Sequence, residues 1–159
     1  MAYPITQKGF TLVELVTTML LLGILSATAL PKFFSVSGYQ QQVFFDDTLA
    51  AVRFAQKLAV ATGCNVQVSI AADTYTLTRP TDRTVCTSLS STDFNQAVNN
   101  PGTGTPPYSN NPSGISLTAS TSPFYFTALG TASADVTLTI AGSQTFYVVA
   151  ATGFVYEQE

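Results

Sequence analysis

The chain has 159 residues, of which 46% are hydrophobic and 9% charged, with a formal net charge of −3 and no histidine. The charged fraction lies far below the roughly 25% of an ordinary soluble protein, yet the high hydrophobic share and small net charge exclude disorder. The basic residues are Lys8, Lys32, Arg53, Lys57, Arg79 and Arg83, and none follows Arg83. The clustered cations that a nucleic-acid partner needs are therefore missing, and without histidine most zinc sites and Cys/His nucleophile pairs are excluded.

The first predicted element lies in "QKGFTLVELVTTMLLLGILSATALPKF", Gln7 to Phe33. Phe10 to Leu30 gives about 32 Å as a helix, which matches the apolar core of a bilayer. No charge occurs between Leu15 and Leu30, but Glu14 sits close to the start. An ionised side chain in lipid is costly, so it marks a functional site whose counter-charge has to be named. The alternative is an acid that snorkels to water. An ordinary secretory signal fits poorly. The leader before the apolar run is short, with Lys8 as its one charge, and a cut at the small residues "SATA" (Ser26 to Ala29) would discard Glu14.

The octapeptide "KGFTLVEL", Lys8 to Leu15, resembles the processing site of the type IV pilin superfamily, which includes type IV pilins, type II secretion pseudopilins and competence pilins. The resemblance implies a leader of residues 1–9, cut by a prepilin peptidase between Gly9 and Phe10, with N-methylation of the new terminus at Phe10. It makes Glu14 the assembly glutamate, and it assigns helix flexibility to Gly23 and to Pro31, which closes a filament-core segment of residues 10–31. The implied partners are the peptidase, other pilins or pseudopilins in a filament and an inner-membrane assembly platform. Trimming removes Lys8 and frees an ammonium on Phe10, so a neighbouring subunit's amine can face Glu14 in a head-to-tail, non-closing assembly. Gly23 costs a helix about 1 kcal/mol relative to alanine, and Pro31 removes a backbone hydrogen bond. Hydroxyls of Ser26 and Thr28 can satisfy the carbonyls so freed.

Residues 32–159 then form the exported part. Phe45, Leu49, Val52, Gln56 and Ala59 recur at helical spacing, widened by Phe54 and Leu58, and Gly63 is a stop signal. One helix of about 80 Å is predicted from Phe10 to Thr62. Its aromatic pair in "VFF" (Val43 to Phe45) is expected to pack on a sheet, with Asp46, Asp47, Arg53 and Lys57 turned to solvent or to a neighbouring subunit. "NVQVSI" and "TYTLTR", separated by "AAD", alternate with period two and predict a hairpin. Two cysteines, Cys64 and Cys86, read most simply in an exported domain as one disulfide, whereas a cytosolic domain would keep them as thiols.

"NNPGTGTPPYSNNPSG", Asn99 to Gly114, predicts a long exposed loop. Five short strands follow, starting at Ile115, Phe124, Val136, Thr145 and Phe154. Their spacing predicts an antiparallel meander with turns at Gly130, Gly142 and Gly153. The expected fold class is α+β, a long N-terminal helix packed on an antiparallel sheet. This order of elements is similar to the H-type pseudopilins and fimbrial T-type minor pilins, and equally to minor pilins of mannose-sensitive haemagglutinin-type pili.

The resemblance implies a structural minor pilin or pseudopilin without cofactor, metal or catalytic residues, inserted once in the bacterial inner membrane with its C-terminal domain in the periplasm, then moved into a pilus or pseudopilus. The alternative is a pilus-borne adhesin or DNA-uptake subunit. DNA capture in the fimbrial T branch uses C-terminal basic residues, and "FVYEQE" has none, so no nucleic-acid partner is expected. An enzyme is the least favoured class: the aspartates are scattered, and "DDT" (Asp46 to Thr48) points adjacent side chains different ways on a helix.

Overall fold

The computed structural model describes residues 9–33, 36–87, 90, 92–110, 112 and 114–157, with side chains 27–37 and 83 outside that description. The fold is α+β. Helices α1 (Leu12–Phe33) and α2 (Val36–Thr62) precede strands β1 (Val66–Ala71), β2 (Thr74–Arg79), β3 (Gln96–Ala97), β4 (Ser109–Asn110), β5 (Leu117–Ala119), β6 (Phe124–Phe126), β7 (Val136–Ile140), β8 (Gln144–Val148) and β9 (Val155–Glu157). The chain divides into two units, Met1–Gly38 and Tyr39–Glu159. The single helix predicted from Phe10 to Thr62 begins two residues later, at Leu12. Its continuity passes through Phe34 and Ser35, which lie outside the described residues.

In the second unit, α2 buries Phe44, Phe45, Thr48, Leu49, Ala51, Val52, Ala55 and Ala59. Their steps of three and four place one stripe against the sheets. Phe44 stacks on Tyr75 at 6.3 Å, and Phe45 meets Phe146 edge-on at 5.7 Å, as the "VFF" stretch predicts. The hydroxyl of Thr48 donates back to the Phe44 carbonyl at 2.7 Å, so a buried polar side chain is satisfied within its own helix. Gly63 ends α2 in the left-handed region (φ 69°), its N–H donating to the Ala59 carbonyl at 3.0 Å.

The β1–β2 hairpin closes through Ala72 and Asp73, both at positive φ (49° and 60°), the twist-matched turn that two-residue hairpins favour. One sheet runs β3-β2-β1-β6, with β4 also on β2; the other runs β5-β7-β8-β9. The expected five-strand meander is therefore corrected. "FYF" (Phe124–Phe126) leaves it and pairs with β1, Val66 opposite Phe126 and Val68 opposite Phe124. Both its phenylalanines are buried in the core shared by the two sheets.

The long Asn/Pro/Gly segment also departs from expectation. Tyr108 is buried, its N–H donates to the Val98 carbonyl at 2.7 Å, and its carbonyl accepts from the Leu77 N–H at 3.2 Å. Val98 and Tyr108 thus fold onto the edge of β2, while residues 101–107 stay exposed. Asp47 is likewise not simply solvated. Its carboxylate accepts from the Tyr75 hydroxyl at 2.6 Å and from the Asn110 side-chain amide at 2.8 Å. Burial first, and then the bond to Asp47 and its charge, push the Tyr75 phenol well above its ordinary range. Burial and the Asp47 charge raise Tyr108 in the same direction.

Two further contacts tie α2 to the second sheet. The Gln56 amide donates to the Gly130 carbonyl at 2.9 Å and to the Thr152 carbonyl at 3.1 Å. Arg53 donates to the Val155 carbonyl at 3.2 Å, with Glu157 at 3.9 Å from its guanidinium. Gly153 (φ 62°) passes so close to Gly130 that a Cβ there would collide with the Gly130 carbonyl. Just past the C-terminal end of α2, Cys64 and Cys86 are joined by a disulfide, and the Asn65 N–H donates to the Cys86 carbonyl at 2.7 Å.

Candidate functional site

The first unit carries the residues on which the assembly expectation rests. Gly9 and Phe10 are exposed and non-helical. The helix starts behind Thr11, whose side-chain oxygen accepts from the Glu14 N–H at 3.2 Å, while its carbonyl accepts from the Leu15 N–H at 3.2 Å. Thr11 is thus the N-cap and satisfies one of the orphan donors of the first turn. Sequence reasoning misses this role, although the T-x-x-E spacing signals it. Glu14 lies in that first turn. There the positive end of the helix dipole favours a carboxylate, which offsets part of the cost of an acid in an apolar segment.

Along α1 the polar side chains turn inward to the helix's own backbone. Thr17 donates to the carbonyls of Val13 at 2.9 Å and Glu14 at 3.0 Å, Thr18 to Leu15 at 2.9 Å, and Ser26 to Leu22 at 2.7 Å. Apart from Glu14, what remains outward is apolar. Leu12, Val13, Leu15, Val16, Met19, Leu20, Leu21, Leu22, Ile24 and Leu25 are each more than half exposed. At 100° per residue those positions surround the axis. An amphipathic surface helix would leave one face polar, whereas a helix apolar all round requires lipid or other helices.

Gly23 sits in this segment, and a Cβ added to it would meet nothing within 4 Å. Packing within the chain therefore does not demand glycine there. α1 runs through Pro31 to Phe33, and the side chains of Thr28 and Pro31 lie outside the described residues. Among the described residues no helix is long and apolar enough to cross a membrane. Side chains of α1 are described only as far as Ser26, and the rest of the expected span, to Leu30, lies beyond them. Also among the described residues, no group of three or more His, Cys, Asp or Glu is placed to hold a metal ion.

The family model for the prokaryotic N-terminal methylation motif matches residues 6–30. Over 52 residues the chain is 44% identical to the type IV narrow pilus major component PilA5 of Thermus thermophilus, a stretch covering 33% of this chain and 45% of that protein. The chain thus spans less than half the length of that relative. Two solved structures share the fold. The type IV minor pilin FimU of Pseudomonas aeruginosa (strain PAO1) aligns at a TM-score of 0.52 and 13% identity, over 74% of this chain and 92% of that one. The minor pseudopilin EpsH from the Type 2 Secretion System of Vibrio cholerae aligns at 0.51 and 12%, over 76% and 94%. The chain thus carries the N-terminal methylation motif of type IV pilins at one end and is similar in fold to a minor pilin and a minor pseudopilin over most of its length.

Proposed function

We propose that the chain is a structural, non-catalytic subunit, a minor pilin or pseudopilin, of a type IV pilus or type II secretion pseudopilus. The observation that carries the reading is α1, apolar on every side and opened by a capped first turn that holds Glu14. A prepilin peptidase removes residues 1–9 by cutting between Gly9 and Phe10, and Phe10 is methylated. Residues 10–31 rest in the inner membrane as a single span, with residues 32–159 in the periplasm, until an assembly platform draws the subunit into a filament of pilins. There the α1 helices supply each other's apolar surroundings, and Glu14 meets the Phe10 ammonium of an adjoining subunit. Burying both charges costs several kcal/mol per ion, so the pair sets register more than it adds stability. Gly23 and Pro31 let the helix loosen as it leaves lipid, and the Cys64–Cys86 bond holds the exported domain together.

Mass spectrometry of filament preparations is the direct test. The expected N-terminus is methylated Phe10, and filaments containing intact Met1 to Gly9 would overturn the reading. Glu14→Ala is expected to leave the protein in the membrane fraction while lowering its recovery in filaments at least tenfold.

A further inference from the structure

Among the described residues of the second unit, the exposed large apolar side chains are Tyr39, Val43, Val60, Leu129, Phe154 and Tyr156. Phe154 and Tyr156 stack on each other, with ring centroids 6.0 Å apart. The other four gather toward the two ends of α2. Tyr39 and Val43 lie near its start and Val60 near its end, where the Leu129 turn meets the helix.

That turn is braced from several sides. The Thr127 N–H donates to the Thr131 carbonyl and the Gly130 N–H to the Thr127 carbonyl, each at 2.8 Å, and the two threonine hydroxyls meet at 2.7 Å. The buried Asn65 side chain accepts from the Ala128 N–H at 3.2 Å, and Gln56 holds the Gly130 carbonyl from α2. Between these anchors Leu129 stands 90% exposed. A scattered surface leucine is ordinary and needs no scaffold. Here the backbone is already ordered, so binding this side chain costs little further freedom.

The complement lies at the start of α2. Tyr39, Gln40, Val43 and Phe44 line a cleft of about 390 Å³, closed on the other side by Asn110 and Pro112. Phe44 is buried, and the Asn110 amide is already committed to the Asp47 carboxylate at 2.8 Å. The cleft therefore offers apolar walls to a side chain on the tip of a turn. Leu129 cannot enter the cleft of its own chain. A Cβ on Gly130 would stand 3.0 Å from Val60, and Val43 and Val60 are separated by roughly 25 Å of helix. A knob at one end and a matching cleft at the other instead suit a second copy, in a heterologous contact that repeats without closing.

We propose that the Leu129 turn of one copy seats in the cleft beside Tyr39 and Val43 of the next, docking successive copies end to end outside α1. The inference rests on the filament reading and names a partner surface for the second unit. One turn in one cleft buries far less than the roughly 1,000 Å² of a stable interface. The contact thus forms where α1 already holds two copies together and raises their local concentration, not between free second units.

The test uses the full chain in filament preparations. Leu129→Cys and Val43→Cys copies, differently tagged, are co-expressed and treated with a short bismaleimide; the native cysteines are joined to each other and do not react. A crosslinked mixed dimer is expected, and neither variant alone should crosslink. Leu129→Asp should melt like the parent while its recovery in filaments falls about tenfold, the loss expected from withdrawing one buried leucine. Should Leu129→Asp fold poorly, the crosslink decides alone. Absence of the mixed dimer from filaments whose subunits begin at methylated Phe10 would overturn this contact and leave the filament reading intact. A dimer formed by Leu129→Cys alone would overturn it too, since the turns would then meet tip to tip. Subunits that keep Met1 to Gly9 would instead sink the filament reading itself.

Discussion

At the scale of single residues, the close approach of Gly153 to Gly130 is the tightest glycine contact among the described residues. Gly153→Ala meets both a left-handed backbone and the Gly130 carbonyl, and the Gln56 amide lies 2.6 Å from the same Cβ position. A loss of about 2–3 kcal/mol in urea unfolding is expected. Gly142, also at positive φ, has open space around it, so Gly142→Ala should cost only about 1 kcal/mol. The Tyr75–Asp47 bond gives a pH signature. A phenol whose folded pKa lies above the ordinary value of about 10 holds its proton more tightly in the native state. The stabilisation is thus fully present below about pH 10 and is lost as pH rises beyond it, for Tyr108 as for Tyr75. Tyr75→Phe should flatten the alkaline limb of a stability–pH profile while lowering stability at pH 7 by about 1–2 kcal/mol, because Asp47 keeps only Asn110 among these two donors.

At the scale of elements, legibility followed period and length. The β1–β2 hairpin and β7 were readable because their alternation of β-branched and polar residues runs five or six positions. β3 and β4 are two residues each, "QA" and "SN", and carry no period to read. The move of "FYF" into the first sheet was hidden for another reason. Its pattern specifies which side chains are buried, not which neighbour completes the ladder, and only the whole core settles that. Tyr108 shows the same limit from the loop side. Asn, Pro and Gly around it signal turns correctly, but one buried aromatic in such a run leaves no periodic trace. The disulfide acts at this scale too. Cys64 and Cys86 stand 22 residues apart, and replacing both with serine is expected to cost roughly 3 kcal/mol in chemical denaturation.

At the scale of the whole molecule, the two units make opposite demands on solvent. The second unit has its own core, drawn from α2 and both sheets. A chain starting at Tyr39 is expected to melt cooperatively and to sediment as a monomer without detergent, whereas the full chain should need detergent to stay dispersed. The motif for this division was plain in the sequence, since "KGFTLVEL" and the apolar run behind it stand together in the first thirty residues. What the sequence does not disclose is the fit of the second unit: Gln56, predicted as part of an apolar stripe, is instead the side chain that clips the helix to the turns at Gly130 and Thr152.

The cap at Thr11 has a consequence for the proposed maturation step. Proteases cut backbone they can thread through an active site, and a wound helix resists threading. Because coiling starts only at Leu12, the Gly9–Phe10 linkage lies outside the helix, while the peptide bonds from Leu12 to Phe33 lie within α1. The onset of the helix thus works as a ruler for the scissile bond. Thr11→Pro and Thr11→Val, which both remove the capping oxygen, should blur where the cut falls even though the glycine is untouched.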